Sequence, residues 1–235
     1  MRLRIRFTKL GKIRFLGHRD LARCWERAIR RAELPMAYSE GFSPRPKLHY
    51  GLALPTGAES LAEYMDIDLA TDIDLTGLDK LLTDGLPDGV DITGIAEVPS
   101  NALALQAVVD HCTWQIELVG VERDAIAALA DDLLARDDVP LTFERKGKAI
   151  TENVRPALLS ITTHPDLHEG AVILTVDLAT KPRSVRPSEF LLCLGQTGEV
   201  RRICRNEQWM TVDGTSLPPL VAGDPSLPVG QRLAS

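Results

Sequence analysis

The chain has 235 residues, of which 44% are hydrophobic and 26% are charged, as in an ordinary globular protein of one or two domains. No apolar run approaches the roughly 18 residues that cross a bilayer, so we expect a cytoplasmic protein without membrane contact. The four cysteines are far apart and form no CxxC pair, which argues against a zinc or iron–sulfur site and leaves no cofactor to expect.

The net charge of −6 conceals an uneven distribution of charge along the chain. Residues 1–50 contain 13 Lys and Arg against 4 Asp and Glu, whereas the rest of the chain contains 14 basic and 29 acidic residues. A basic segment of this size within an acidic protein is typical of a surface that binds a polyanion. The alternative is that the basic and acidic parts neutralise each other.

The N-terminal segment predicts a basic strand followed by a basic helix. Residues 2–8 alternate arginine with apolar side chains, which is the period of a strand with one buried face. A helix is predicted over residues 18–33, before Pro35. The face opposite to its apolar side carries arginines at spacings of four, four and three, namely Arg19, Arg23, Arg27 and Arg30. Like charges at these spacings repel, so a bound polyanion is the simpler explanation.

A proline-rich loop follows the helix at residues 41–47, with the sequence GFSPRPK. Its prolines fix the backbone, and its glycine permits the close approach of a ligand. Helix, loop and the preceding turn supply the candidate nucleic-acid-binding residues, which are Arg14, His18, Arg19, Arg23, Arg27, Arg30, Arg31, Phe42, Ser43, Arg45 and Lys47. Arginine binds phosphate through two parallel hydrogen bonds. Phe42 is expected either to stack on an unpaired base or to pack within the protein.

The remaining pattern predicts an α+β fold of two ferredoxin-like lobes in tandem, each with the order βαββαβ, that share a basic face or cleft. The first lobe is predicted at residues 1–100 and the second at residues 108–212. Within the second lobe a hairpin is predicted over residues 141–162. Residues 213–235 are rich in Gly, Pro and Ser and are expected to form a disordered tail.

No pattern in the sequence requires catalysis or a metal. Asp20 is expected to cap the predicted helix, and its neighbour His18 is the candidate catalytic residue. Asp66 and Asp68 share one face of a predicted strand, which suits a solvated surface better than a magnesium site. Phosphate-binding glycine loops and the GxSxG nucleophile motif are absent from the sequence. Enzymatic activity of the chain on its own is left open, with a non-enzymatic role favoured.

Three stretches resemble the radical SAM-linked protein family: Phe15–Arg23 (FLGHRDLAR), Arg27–Ala32 (RAIRRA) and Tyr38–Lys47 (YSEGFSPRPK). That family is a bacterial domain of unknown function, which stands alone or is fused to a B12-binding radical SAM protein. Its members are often encoded near a radical SAM protein, a ribonuclease of the E/G type and ribosomal protein genes, which implies work on RNA. This chain has no CxxxCxxC motif, so a partner would supply any radical SAM chemistry.

We therefore predict an RNA-binding accessory protein in RNA modification or processing, with tRNA or rRNA and a separate radical SAM protein as partners. One alternative is a metal-independent endoribonuclease, by analogy with the RAMP-type CRISPR RNA-processing enzymes, in which His18 would be the general base. The other is a protein-interaction module whose basic face docks on an acidic partner. Nothing in the sequence indicates base-specific reading of DNA.

Overall fold

The protein mixes helices with a larger number of strands, in agreement with the mixed fold class predicted from the sequence. The structure is a computed structural model that describes residues 1–145, 147–164, 170–195 and 198–220. Within these ranges no helix is long and apolar enough to cross a membrane. The elements are β1 (Arg2–Lys9), α1 (His18–Arg31), β2 (Leu48–Tyr50), β3 (Glu59–Asp68), α2 (Leu78–Thr83), β4 (Ile92–Val98), α3 (Leu105–Val108), β5 (His111–Val119), α4 (Arg123–Ala135), β6 (Pro140–Arg145), β7 (Lys148–Asn153), β8 (Leu158–His164), β9 (Ala171–Ala179), α5 (Pro187–Leu194), β10 (Glu199–Val212) and β11 (Thr215–Leu217).

The chain divides into two compact units, of which the first is discontinuous in sequence. It contains Met1–Val109 together with the chain from Glu207, and the second unit is Asp110–Asn206. Strand β10 therefore begins in the second unit and ends in the first. Glu207 belongs to the first unit because its carboxylate accepts hydrogen bonds from Arg6 at 2.9 Å and from the Tyr64 hydroxyl at 2.7 Å.

The first unit is built around β1, which lies inside the strand order β4-β1-β3-β2 with each neighbouring pair antiparallel. The alternation of β1 puts Leu3, Ile5 and Phe7 on one face, where all three are buried. Helix α1 covers this face, since its Trp25 and Ile29 belong to the same buried cluster. The rings of Phe7 and Trp25 meet edge to face with centroids 5.0 Å apart. The apolar faces predicted by the two periodicities thus form the core.

The opposite face of β1 carries ion pairs, so the prediction that Asp66 and Asp68 form a solvated surface is wrong. Arg2 pairs with Asp68 at 2.6 Å and Arg4 with Asp66 at 2.8 Å. The register explains this, because both pairs lie directly opposite each other across the antiparallel strands β1 and β3. Arg4 and Asp66 are each only 2% exposed, and Arg4 also donates to the Pro219 carbonyl at 3.2 Å.

Asp68 is held ionised by two basic neighbours. Burial by itself would raise the pKa of Asp68, but hydrogen bonds from Arg2 and from His49, whose Nε2 lies 3.1 Å from Oδ2, outweigh it and lower the pKa below its usual range. A depressed pKa in the folded state means that this stabilisation is complete above the ordinary carboxyl pKa. It is lost as the pH falls through the lowered value.

The second unit has the strand order β10-β5-β9-β8, in which β9 pairs antiparallel with both β5 and β8. Strand β5 alternates, with Trp114 and Ile116 among its buried residues. The prediction of one hairpin over residues 141–162 is wrong, because β6 and β7 form a separate two-stranded hairpin and β8 joins β9. The short 3₁₀ turn Arg155–Ala157 separates β7 from β8, and its Pro156 has no N–H for strand pairing.

The C-terminal part of the first unit is more ordered than its composition suggested. The second lobe was predicted to extend to residue 212 and a disordered tail to follow over residues 213–235. Instead, β10 turns at Asp213 and Gly214 and pairs with β11 inside the predicted tail. The remainder of that tail, residues 221–235, lies outside the described residues.

We expect the single substitution Asp66→Asn to lower the free energy of unfolding by about 3–5 kcal/mol, because it leaves the buried Arg4 guanidinium without a countercharge. The double substitution Arg4→Met with Asp66→Leu removes both charges and should be less destabilising than Asp66→Asn alone. Urea unfolding of the three proteins measures both effects.

The exposed pair Lys80–Asp84, at 2.7 Å on α2, provides the control for this prediction. Lys80→Met should change the free energy of unfolding by less than about 0.5 kcal/mol. If Asp66→Asn costs no more than Lys80→Met, the buried pair does not stabilise the first unit.

Candidate nucleic-acid interface

The basic side chains of the first unit fall into two groups, one paired with carboxylates and one unpaired. The paired group lies on β1 and on the turn after it, and consists of Arg2, Arg4, Arg6 and Arg14. The unpaired group lies on α1 and on the loop that follows it. Among the residues that the structure describes, no carboxylate forms an ion pair with the side chains of Arg19, Arg27, Arg30, Arg31, Arg45 and Lys47.

A groove with a volume of about 880 Å³ lies between α1 and the proline-rich loop. Its charged lining residues are Arg19, Arg23, Arg30, Arg45, Glu26 and Glu33. All four arginines are exposed, so their guanidinium groups are solvated in the free protein. We call this feature the basic groove, because arginines outnumber glutamates along it.

The arginine face predicted for the helix is divided between two sides of α1. Arg19, Arg23 and Arg30 follow one another at spacings of four and seven, and all three border the basic groove. Arg27 does not border it; its Nη2 lies 3.3 Å from the sulfur of Cys24. The sequence period therefore placed three of the four arginines correctly and could not show where the loop would lie.

Backbone hydrogen bonds across its base fix the loop that closes the groove. Tyr38 and Pro46 form an isolated antiparallel bridge. The Arg45 N–H donates to the Ser39 hydroxyl oxygen at 3.1 Å, and the Ser39 N–H donates to the Arg45 carbonyl at 2.9 Å. The Lys47 N–H donates to the carbonyl of residue 37, also at 2.9 Å. Arg45 is thus positioned by the backbone rather than by an ion pair.

Helix α1 begins at the groove without a side-chain cap, since its N-cap residue is Gly17. The prediction that Asp20 caps the helix is wrong, because Asp20 lies within the first turn and accepts a hydrogen bond from Arg23 at 3.0 Å. The uncapped N–H groups at a helix start carry partial positive charge. His18 and Arg19 bring this end of the helix to the basic groove.

His18 also lines the groove and contacts Tyr50 edge to face, with ring centroids 4.7 Å apart. No described side chain hydrogen-bonds to the His18 ring, so no carboxylate orients it as in an acid–base dyad. Burial raises the pKa of the Tyr50 hydroxyl, and the negative charge of Glu26 raises it further. Tyr50 therefore remains a protonated hydrogen-bond donor at neutral pH.

Several residues of the predicted set do not line the groove, namely Arg14, Arg27, Arg31, Phe42, Ser43 and Lys47. Arg14 differs most from the prediction, because it is partly buried and pairs with Glu59 at 3.3 Å. Phe42 is fully exposed, which excludes the alternative that it packs within the protein. It remains available to stack on a ligand.

Sequence reasoning missed Tyr38, an exposed aromatic residue that lines the groove beside Arg45. Its position at the start of the conserved-looking run of turn residues before Pro44 was the one available signal. Tyrosine at a basic surface stacks readily on unpaired bases.

No metal centre accompanies these residues in the described part of the chain, where no three His, Cys, Asp or Glu side chains are close enough to hold an ion. All four cysteines are free thiols. Cys24, Cys112 and Cys204 are buried, and Cys193 is partly exposed. The basic residues are therefore the main chemical feature of this surface.

Comparison with protein families identifies the chain. The bacterial family described as "Uncharacterized protein conserved in bacteria (DUF2344)" matches residues 2–187, and the chain belongs to this family. The match includes α1, the loop and the whole basic groove. No curated protein matches the chain.

Among solved structures, a chain of the "Crystal Structure of a Cbf5-Nop10-Gar1 Complex" is similar to this protein with a TM-score of 0.46 and 11% sequence identity. The alignment covers 88% of this chain and 48% of the other, so this protein spans about half the length of its structural neighbour. At this level the likeness carries no functional argument.

We expect the groove arginines to be dispensable for stability. Arg30→Gln removes an unpaired charge near other arginines and should leave the free energy of unfolding within about 0.5 kcal/mol of the wild-type value. Arg6→Gln should cost more, about 1–3 kcal/mol, because it leaves the largely buried Glu207 carboxylate without its ion pair. Urea unfolding compares the two; equal losses would mean that Arg30 serves the fold.

Proposed function

We propose that this member of the family is an RNA-binding accessory protein that holds a segment of tRNA or rRNA in the basic groove. The observation that carries the proposal is the separation of paired from unpaired arginines. The strand arginines are matched by carboxylates within their own unit, whereas Arg19, Arg30 and Arg45 face the groove without one. Unpaired like charges on adjacent helix turns favour an external polyanion.

The chemistry of the groove suits phosphate groups beside unpaired bases. Arginine donates two parallel hydrogen bonds to phosphate oxygens and keeps its charge at all physiological pH values. Tyr38 in the groove and Phe42 on the loop are exposed aromatic rings, on which single-stranded RNA bases stack. Asn and Gln, which read adenine in the DNA major groove, are absent from α1. These features favour RNA over sequence-specific DNA binding.

The proposal includes a separate enzyme as partner. The chain has no CxxxCxxC motif, and its four cysteines lie far apart in sequence, so it offers no ligand set for a radical SAM cluster. Within the proposal a radical SAM protein performs the RNA modification, and this chain presents the RNA to it.

The ferredoxin-like description of both lobes belongs to the proposal as well. The order β4-β1-β3-β2 in the first unit and β10-β5-β9-β8 in the second supports it, as does the antiparallel pairing of β1 with β3 and of β5 with β9. In the second unit the hairpin β6–β7 is then an insertion before β8. RNA-binding domains often present nucleic acid on folds of this kind.

We expect the purified protein to bind total tRNA at low salt and to lose affinity steeply as salt increases. Charge reversal of Arg19, Arg30 or Arg45 to Glu should weaken binding by about tenfold or more each. Neutralisation to Gln should lower the slope of log affinity against log salt by about one per phosphate contact. Electrophoretic mobility shifts over a salt series measure both effects.

Lys80→Glu provides the matched control, since it makes the same charge change on α2 outside the groove. It should leave tRNA binding within about twofold of wild type. Absence of binding to both tRNA and rRNA at low salt would exclude the proposal. Salt-sensitive co-purification of an acidic protein without nucleic acid would then favour protein docking.

RNA cleavage by His18 is the second candidate function, favoured by the position of this exposed histidine in the groove. We expect no cleavage of bound tRNA, because nothing orients the imidazole as a general base. His18→Ala should therefore preserve binding and change no product pattern on denaturing gels. Metal-independent cleavage that His18→Ala abolishes would instead make the protein a ribonuclease.

A further inference from the structure

A second, smaller cavity lies in the first unit and shares His18 with the basic groove. Its volume is about 130 Å³, and it lies between the start of α1, strand β3 and the chain after β2. Phe7, Leu16 and Leu21 supply apolar lining. Ala53 also lines the cavity and is exposed, which places it near the opening.

The size of the cavity matches one nucleobase. At about 10–15 Å³ for each water-sized occupant, it holds roughly nine to thirteen atoms of that size. A nucleobase has about eight to eleven non-hydrogen atoms, and proteins that act on RNA often extrude a single base into a pocket. A dinucleotide or a folded RNA element is too large for this space.

The polar groups around the cavity suit the edge of a base. The Tyr50 hydroxyl is buried and has no hydrogen-bond partner among the described residues. The amide nitrogen of Gln106 makes only long contacts, 3.4 Å to the Gly51 carbonyl and 3.5 Å to the Tyr50 carbonyl. The buried Glu63 carboxylate adds an acceptor. An unpaired buried hydroxyl destabilises the free protein, so its presence is better explained by a ligand.

We infer that this cavity receives one unpaired nucleobase of the RNA whose phosphates lie in the basic groove. The inference rests on the proposed function and makes it more specific. His18 lies at the junction of the two spaces, with its ring against that of Tyr50. The base inserts past these rings, and the Tyr50 hydroxyl donates to an acceptor on its edge. Burial, which raises the pKa of Tyr50, keeps that hydroxyl in the donating form.

The test compares RNA strands with and without bases. The probes are fluorescein-labelled homopolymers of A, C, G and U, about ten nucleotides long, and an abasic ribose-phosphate strand of the same length. Fluorescence anisotropy at low salt measures their affinities. At least one homopolymer should bind the wild-type protein about tenfold more tightly than the abasic strand does.

Two variants locate this preference in the cavity. Ala53→Leu fills the opening and should remove the tenfold advantage while leaving the abasic strand within about twofold. Tyr50→Phe keeps the ring and should weaken the preferred homopolymer about fivefold. It should not lower the thermal midpoint, because it removes a hydroxyl that has no partner in the free protein.

The outcomes separate this inference from the proposed function. Binding of all homopolymers no better than the abasic strand, or a preference that survives both variants, overturns the base pocket and leaves the groove proposal standing. Failure of the wild-type protein to bind any strand, the abasic one included, overturns both. A lower thermal midpoint of Tyr50→Phe also contradicts the inference, because the hydroxyl would then have a structural partner.

Discussion

The buried ion pair between Arg4 and Asp66 is the interaction on which the first unit depends. Strand β1 lies between β3 and β4 and carries an arginine at every second position near its start. A central strand tolerates this because β3 presents carboxylates directly opposite. Arg4 is bound bidentately, with Nε–Oδ1 at 2.8 Å and Nη2–Oδ2 at 2.9 Å, which offsets much of the desolvation cost. Since these charges cancel locally, the surplus positive charge is left on α1 and its loop.

Local periodicity was sufficient to predict the core of the first unit and the position of its main helix. Helix α1 ends at Arg31, within two residues of the predicted end at 33, because Pro35 limits it in both cases. The inward faces of β1 and α1 follow directly from periods of two and 3.6 residues. Patterns of this kind depend only on neighbouring residues, and they are visible in a single sequence.

What the sequence could not show depends on contacts between distant residues. Arg14 reads as a free cation until β3 brings Glu59 to it, 45 residues away. Asp66 reads as exposed until its register with Arg4 is known. The basic groove likewise requires the loop to fold back beside α1, which depends on the hydrogen bonds between Ser39 and Arg45. Propensity carries no information about such pairings, since they are properties of topology.

The discontinuity of the first unit has a consequence for the order of events during synthesis. Arg6 pairs with Glu207, 201 residues later, and Arg4 donates to Pro219, 215 residues later. A ribosome therefore releases β1 long before these acceptors exist, whereas the second unit is continuous and complete once Asn206 has emerged. The second unit is able to fold during translation. The N-terminal unit acquires its last buried contacts only when the C-terminal strands arrive, so a chain truncated before Glu207 would retain the basic helix with its neighbouring buried charges incompletely satisfied.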